Sequence, residues 1–156
     1  MYLSCIIVAR NEEKNIERCI LSVIRALCVY PETEVLLVDS CSNDETINVA
    51  SKLSTRIIRL RSDWPQSPSA GRFLGVLNTS GRFILFIDGD MELIPGWLEC
   101  AVDFLEKDDS AAAVVGRLYD RFQNKDGSSS SPSIGVEFKK MIGTQTTHFV
   151  PGSALF

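Results

Sequence analysis

Apolar residues along this chain alternate between two periods, one suited to strands and one to helices. "YLSCIIVA" is a short β-branched run and predicts a first, buried strand. After "RNEEKN", the residues Ile16, Cys19, Ile20, Val23, Ile24 and Leu27 recur at spacings of three and four, one stripe of a helix. "EVLLVD" reads as strand two. Ser42 and Glu45 stand at capping-box spacing and open a helix through Ile47, Val49, Ala50 and Leu53. "RIIRL" reads as strand three. Ser67 followed by Pro68 fits an N-cap with proline at the first helical position, for a helix ending near Asn78. "RFILFID" is strand four. Pro95 starts a further helix with Trp97, Leu98, Ala101, Val102 and Leu105 inward, and "AAAVVGRLYD" is strand five. "QNKDGSSSSPS" is a turn-rich loop, and the remaining tail mixes weak signals before ending in the apolar "GSALF". An apolar end of this kind reads as a truncated domain, or as a surface that a second copy would cover in a homo-oligomer.

Strands separated by helices of this length imply right-handed βαβ units. The fold class is therefore α/β: a mainly parallel open sheet with helices on both faces, in one domain over residues 1–156. In such sheets ligands bind in the crevice outside the carboxyl ends of the strands. Glu12 follows strand one, Asp39 follows strand two, and Asp88 with Asp90 follow strand four, so residues far apart in sequence converge on one edge. The stretch "GRFILFIDGDMEL" delivers two carboxylates flanking Gly89 directly from an apolar strand. Two such anions repel each other, and a hard divalent cation, Mg²⁺ or Mn²⁺, would resolve the repulsion while leaving positions open for phosphate oxygens. Arg72, in "SAGR", is the candidate to share phosphate charge. Plainer uses stay open for each residue. "DGD" can build a turn, Asp44 can cap a helix, Glu12 can sit solvated in a first turn, and Arg72 can be a surface arginine.

Composition narrows the classes. With 156 residues, 45% of them hydrophobic, the chain can bury an ordinary core. Its net charge of -4 and scattered basic residues argue against nucleic acid as a partner. The apolar runs are strand-sized, short of the roughly 20 residues that cross a bilayer. "MYLSCIIVAR" has neither a basic leader nor a cleavage site of a signal peptide. The five cysteines (Cys5, Cys19, Cys28, Cys41 and Cys100) lack metal-site spacing. Four sit in apolar patterns and read as buried, reduced thiols of a cytoplasmic protein, while Cys41 lies in a polar loop.

Taken in order, "CIIVARNEEKNIERCILSV", "EVLLVDSCSNDET", "SAGRFLGVLNTSGRFILFIDGD" and "VPGSALF" resemble the inverting family 2 glycosyltransferases of GT-A fold. The resemblance covers essentially the whole chain and is strongest over residues 3–106. The family usually reads "VDDGSTDGT" where this chain has "VDSCSNDET", so Ser40 and Cys41 replace an Asp and a Gly, while Asp39 and Asp44 remain.

The resemblance implies transfer of a sugar, with inversion, from a nucleoside-diphosphate sugar to an acceptor hydroxyl. It implies a nucleotide-sugar-binding part over residues 1–120 and a partial acceptor side over 121–156. Ala9, Arg10 and Glu12 would line the nucleotide pocket, and Asp39 would accept a hydrogen bond from the base, with UDP favoured. Gly71 and Arg72 would lie against ribose or diphosphate. Asp88 and Gly89 would meet the nucleotide sugar, and Asp88 and Asp90 would hold Mn²⁺ or Mg²⁺. The family's general base lies in an acidic motif beyond "GSALF", so no catalytic base is assigned. Asp120, Glu137 and His148, the single histidine, are weak candidates on the acceptor side. A chain without that base would be a nucleotide-sugar-binding module or an inactive fragment, which is the alternative reading. A dinucleotide-binding fold lacks its G-x-G-x-x-G here, and a P-loop NTPase lacks its G-x-x-x-x-G-K-[ST]. A haloacid-dehalogenase-type phosphatase would carry its Asp pair after strand one, and a sugar nucleotidyltransferase would carry a glycine-rich basic loop there.

Overall fold

The structure, a computed structural model, describes residues 2–116, 139–141 and 153–155. Strands and helices alternate as β1 (Leu3–Ala9), α1 (Ile16–Leu27), β2 (Thr33–Asp39), α2 (Thr46–Ala50), β3 (Arg56–Arg59), α3 (Pro68–Leu77), β4 (Phe83–Asp88) and α4 (Trp97–Lys107). Three short strands follow, β5 (Ala113–Val115), β6 (Lys139–Met141) and β7 (Ser153–Leu155). All join one sheet in the order β3-β2-β1-β4-β7-β5-β6. The first four strands are parallel. β7 runs antiparallel to both β4 and β5, and β6 antiparallel to β5, so β5 points the same way as the parallel set. The mainly parallel α/β sheet expected from the alternating periods is present.

β1 lies between β2 and β4, and all seven of its residues are buried. That position explains its continuous apolar run, because both of its faces are covered. Leu3, Cys5, Ile7 and Ala9 join a core under α1, α2 and α4, while Ile6 and Val8 join a second core on the α3 face. Helices therefore cover both faces. Fully buried side chains such as Ile7, Ile20, Leu37 and Leu85 each contribute about 1.5–3 kcal/mol relative to exposure. On α1 the stripe Ile16, Cys19, Ile20, Val23 and Leu27 is buried as its spacing requires, and α4 buries the five residues expected of it.

Local details depart from the sequence reading in four places. The capping box is not formed: α2 begins at Thr46 with Glu45 as N-cap and no side-chain cap bond. Asp44 Oδ1 instead accepts from the Thr46 amide, the shorter i to i+2 closure open to an Asp, and α2 stops at Ala50 rather than reaching Leu53. Pro95 does not start α4. Gly96, at φ 83°, turns the chain in the left-handed region, and the helix begins one residue later. Cys5 and Cys19 are buried, whereas Cys28, which caps the end of α1, and Cys100, on the outward side of α4, are exposed. Lastly, the tail, read as mixed weak signals, contains a strand within "GSALF". Ser153–Leu155 are β7, hydrogen-bonded between β4 and β5.

Ser67 does cap α3, its hydroxyl accepting from the Ala70 amide with Pro68 at the first turn, and Asn78 closes the helix. α3 lies close on β1. A methyl group on Gly71 would come within 2.7 Å of Val8 Cγ1 and 3.3 Å of Cγ2, nearer than real side-chain carbons approach. Asp120, Glu137 and His148 lie outside the described residues.

Candidate functional site at the carboxyl edge of the sheet

Strand register sets the frame of the site. Asp39 closes β2 opposite Ala9, and Asp88 closes β4 opposite Val8. The two carboxylates thus leave the same edge on either side of β1, as the parallel topology requires. Side-chain alternation then sends them to different faces. Leu37 packs in the α1-side core and Phe86 in the α3-side core, so Asp39 follows the first face and Asp88 the second. The ladder runs a step further, since the Ser40 amide donates to Ala9 O at 2.8 Å and the Gly89 amide to Val8 O at 2.9 Å. A methyl on Gly89 would lie 2.7 Å from Ala9 Cβ and 3.4 Å from Glu12 Cγ, so only a bare backbone fits between them. Ala9, Glu12, Asp88 and Gly89 are thereby gathered at one point, and Arg10 is exposed just beyond β1.

Arg72 reaches from α3 to Asp88, Nη2 to Oδ1 at 2.5 Å. Burial pushes the Asp88 carboxyl above its ordinary value, Arg72 pulls it down, and neighbouring Asp90 pushes it up again; the net direction is upward. Asp90 itself is exposed. The negative field of the group is felt beneath it. The buried Cys19 thiol is pushed up to about 12, first by desolvation and then by the charges of Asp90 and Asp88, against a smaller pull from Arg18. Glu12 adds to the same upward push. Three acids therefore act on one sulfur from around the rim. Among the described residues no group of three His, Cys, Asp or Glu side chains is arranged to hold a metal ion alone.

Asp39 is wholly buried, and its carboxylate is engaged. It accepts from the Ser42 amide, at 3.0 Å to Oδ2 and 3.3 Å to Oδ1, and pairs with Arg59 Nε at 3.1 Å. Arg59 also donates to Ser42 O, clamping the loop that follows β2. Gly71 is spared a side chain by Val8, with the Ser40 hydroxyl next in line at 3.6 Å. Ser40 Oγ is buried without a hydrogen-bond partner among the described residues. Cys41 stands at φ 60°, the left-handed region, at the position where the family pattern has glycine, and its thiol donates to Leu60 O.

Sequence reasoning missed what braces these loops. Three consecutive amides after β1 donate to side chains after β2: Asn11 to Ser42 Oγ at 2.9 Å, Glu12 to Thr46 Oγ1 at 2.7 Å and Glu13 to Asp44 Oδ2 at 3.1 Å. Asn11 Oδ1 and Glu13 Oε2 return the favour, accepting from the amides of Asn43 and Glu45. The Asp44 carboxyl is held below its ordinary value: burial alone would raise it, but the bonds from the Thr46 hydroxyl, the Thr46 amide and the Glu13 amide together outweigh that. Asp44 so combines the turn-closing use with a bond across to the first loop. The one usable signal for Arg59 was its place, a cation closing strand three opposite Asp39.

Comparison with known proteins gives consistent results. The profile of the family described as "Glycosyl transferase family 2" matches residues 4–156. The glycosyltransferase AglE of Haloferax volcanii is 35% identical over 104 residues, covering 65% of this chain and 34% of its own. The crystal structure of S. aureus TarS 1-349 in complex with UDP-GlcNAc superposes with a TM-score of 0.63 at 27% identity, over 80% of this chain and 38% of that one. The mannosyltransferase PcManGT from Pyrobaculum calidifontis, solved with GDP-Man and Mn²⁺, shares the fold at a TM-score of 0.62 and 22% identity, over 74% of this chain and 35% of its own. The chain thus spans about a third of the length of these relatives. With the family pattern matched from β1 to the last residue and the sheet superposing on its solved members, this chain belongs to glycosyl transferase family 2 and has its GT-A fold.

Proposed function

We propose that this chain forms the donor-binding part of a glycosyltransferase. It would take a nucleoside-diphosphate sugar, with a uridine nucleotide favoured, and pass the sugar with inversion to an acceptor hydroxyl in a reaction needing Mn²⁺ or Mg²⁺. The observation that carries this reading is the shared rim. Asp39 and Asp88 flank the end of β1 in register with Ala9 and Val8, and Gly89 is pressed against Ala9 and Glu12. A nucleotide lying across that edge would meet Ala9, Arg10 and Glu12 along the end of β1. Asp39 would be its acceptor for the base: Ser42 and Arg59 leave unused acceptor capacity on Oδ1, and a small shift of the loop after β2 would uncover it. Gly71 and Arg72 would lie beside ribose or diphosphate. The uridine preference draws on TarS, which is solved with UDP-GlcNAc at 27% identity.

The acids fit a hard divalent cation. Asp88 and Asp90 offer oxygen ligands only, and the Asp88 carboxyl is raised first by burial and, to a smaller degree, by the charge of Asp90. Two carboxylates leave most of a coordination shell open, which suits an ion shared with phosphate oxygens rather than one held by protein alone. Bound there, the ion would offset charge building on the leaving diphosphate. Arg72 would add its own positive charge to the same phosphates. The acceptor hydroxyl must lose a proton as it attacks, and the family's base lies beyond "GSALF", so transfer by this chain alone would need Asp120 or Glu137 to take that proton.

A thermal-shift series with UDP, GDP and dTDP, each with and without MnCl₂, tests the reading. A ligand at a hundred times its Kd adds about 2.7 kcal/mol to stability. For a chain of this size each kcal/mol moves Tm by about 2–4 °C. UDP with Mn²⁺ should therefore raise Tm by several degrees, and Asp90→Ala should abolish the metal-dependent part. No shift with any nucleotide would refute the donor-binding reading. Binding without donor hydrolysis or transfer would favour the alternative, a nucleotide-sugar-binding module, which the partial span of the relatives makes a specific second reading.

A further inference from the structure

Both members of one ion pair in this site are claimed by ligands. Arg72 Nη2 stands 2.5 Å from Asp88 Oδ1, with the two side chains 29% and 30% exposed. Under the function proposed above, on which this inference rests, Asp88 belongs to the cation and Arg72 to the diphosphate. A guanidinium on Oδ1 neutralises the carboxylate and repels a divalent cation approaching either of its oxygens. We infer that Arg72 is an exchangeable partner of Asp88: it neutralises the carboxylate while the site is empty, and gives way to the cation by turning onto the diphosphate, so that metal and nucleotide each promote binding of the other.

The surroundings favour a side-chain exchange over a movement of the helix. Arg72 follows Gly71, whose backbone is pressed on Val8, and α3 is fixed at its start by the Ser67 cap. Asp88 is tied to the same strand, opposite Val8 in the ladder. Both backbones are thus pinned to β1, so an exchange falls to the arginine side chain rather than to the helix. Asp90 is exposed and forms no ion pair with any described residue, so an incoming cation has a free carboxylate to engage first. Once the cation reaches Asp88, the displaced guanidinium faces a second positive charge at short range. An anion between them removes that repulsion, and a diphosphate has the charge to do so. Linkage requires that the factor by which Mn²⁺ strengthens UDP binding equal the factor by which UDP strengthens Mn²⁺ binding.

Isothermal titration calorimetry tests the exchange, with MnCl₂ alone, UDP alone and UDP at saturating MnCl₂, on the wild-type chain, Arg72→Gln, Arg72→Lys and Asp88→Asn. Removing the competing cation should tighten binding of Mn²⁺ alone by about three- to fivefold in Arg72→Gln, the worth of a partly exposed ion pair. Arg72→Lys keeps the charge and should stay near wild type. Asp88→Asn frees Arg72 and should tighten UDP binding in the absence of metal by a similar factor. Both Arg72→Gln and Asp88→Asn should lower the coupling by about that factor, leaving the part that comes from the ion shared with phosphate oxygens. The inference is overturned if Arg72→Gln binds Mn²⁺ alone no better than wild type. It is overturned equally if Asp88→Asn, which removes the partner from the other side, binds metal-free UDP no better. Should wild type bind neither UDP nor Mn²⁺, the proposed function falls with it; should wild type show Mn²⁺-dependent UDP binding while both variants miss these gains, only the exchange falls.

Discussion

A single methyl group at Gly71 should loosen α3 from the sheet, and taking away the two methyls that it meets should reverse the effect. In Gly71→Ala the new carbon would sit 2.7 Å from Val8 Cγ1 and 3.3 Å from Cγ2. Carbon pairs settle at about 3.5–4.0 Å, so helix and strand must part by roughly 1 Å. Overpacking of this kind costs about 1–3 kcal/mol. Alanine gains back about 1 kcal/mol over glycine in a helix, so the net destabilisation should be about 1 kcal/mol. Val8 is buried at 7% exposure, and Val8→Ala alone should cost about 1.5–3 kcal/mol through lost burial and the void left behind. In the Val8→Ala background both opposing atoms are absent, and the methyl at position 71 fills part of the void. There Gly71→Ala should stabilise by about 1 kcal/mol, giving a coupling of about 2 kcal/mol for residues in direct contact. Urea denaturation of the four chains, in metal-free buffer with m-values compared, measures the cycle. Equal cost of Gly71→Ala in both backgrounds would refute the contact. Because Arg72 adjoins the strained residue, UDP binding with Mn²⁺ should weaken in Gly71→Ala and recover in the double variant.

Three further outcomes follow from the loops and the rim. Cys41 holds a left-handed backbone that costs a side-chain-bearing residue about 1–2 kcal/mol, so Cys41→Gly should be more stable than Cys41→Ala by about 1 kcal/mol once the entropy of glycine in the unfolded chain is counted; equal urea midpoints would contradict it. Arg59→Ala strips the buried Asp39 carboxylate of its cation and should cost about 2 kcal/mol, read by thermal unfolding; a loss no larger than that of Arg61→Ala, an exposed arginine paired with exposed Asp63, would sink the idea. The Asp88 carboxyl is raised on folding, so the folded state carries no penalty below the ordinary value of 3.8 and acquires one as pH rises through the raised value. Asp88→Asn should accordingly raise Tm at neutral pH without metal and leave it unchanged in strong acid, despite losing Arg72; a lower Tm at neutral pH would mean that the ion pair outweighs desolvation and Asp90.

The elements that chain pattern revealed are those whose burial is decided by period. α1 and α4 bury the predicted stripes, and β1 and β4 fall on their apolar runs, because one face packed on a sheet leaves few other placements. Rim acids were legible for the same reason: a carboxylate just past a parallel strand can only be at the carboxyl edge. What escaped was side-chain lacing between loops. Ser42, Asp44 and Thr46 accept amides from residues 31 to 34 positions away, and no local spacing encodes that. The predicted capping box failed through the same contacts, since Ser42 spends its hydroxyl on the Asn11 amide instead of on its own helix. β6 and β7 were hidden because "KKM" and "SAL" carry no apolar run like the "AAAVV" that marked the equally short β5.

Why the acids sit on two faces of one strand end bears on how a ligand would lie. Asp39 is level with Ala9 at the tip of β1 and Asp88 with Val8 one ladder step before it, so alternation places Asp39 with Arg59 toward α1 and Asp88 with Arg72 toward α3. A molecule touching both must pass over the end of β1 rather than along either face. Ala9 and Gly89 occupy that crossing, where a Cβ at position 89 would come within 2.7 Å of Ala9 Cβ. The two poles also differ in kind. Asp39 is buried and clamped by Ser42 and Arg59, so a base would reach it only through a shift of the loop after β2. Asp88 and Asp90 are open on one side, next to an arginine free to exchange, as a mobile, charged group would need. An elongated ligand with a neutral end and a polyanionic middle matches that order of surfaces, and a compact anion such as free phosphate would engage only the second.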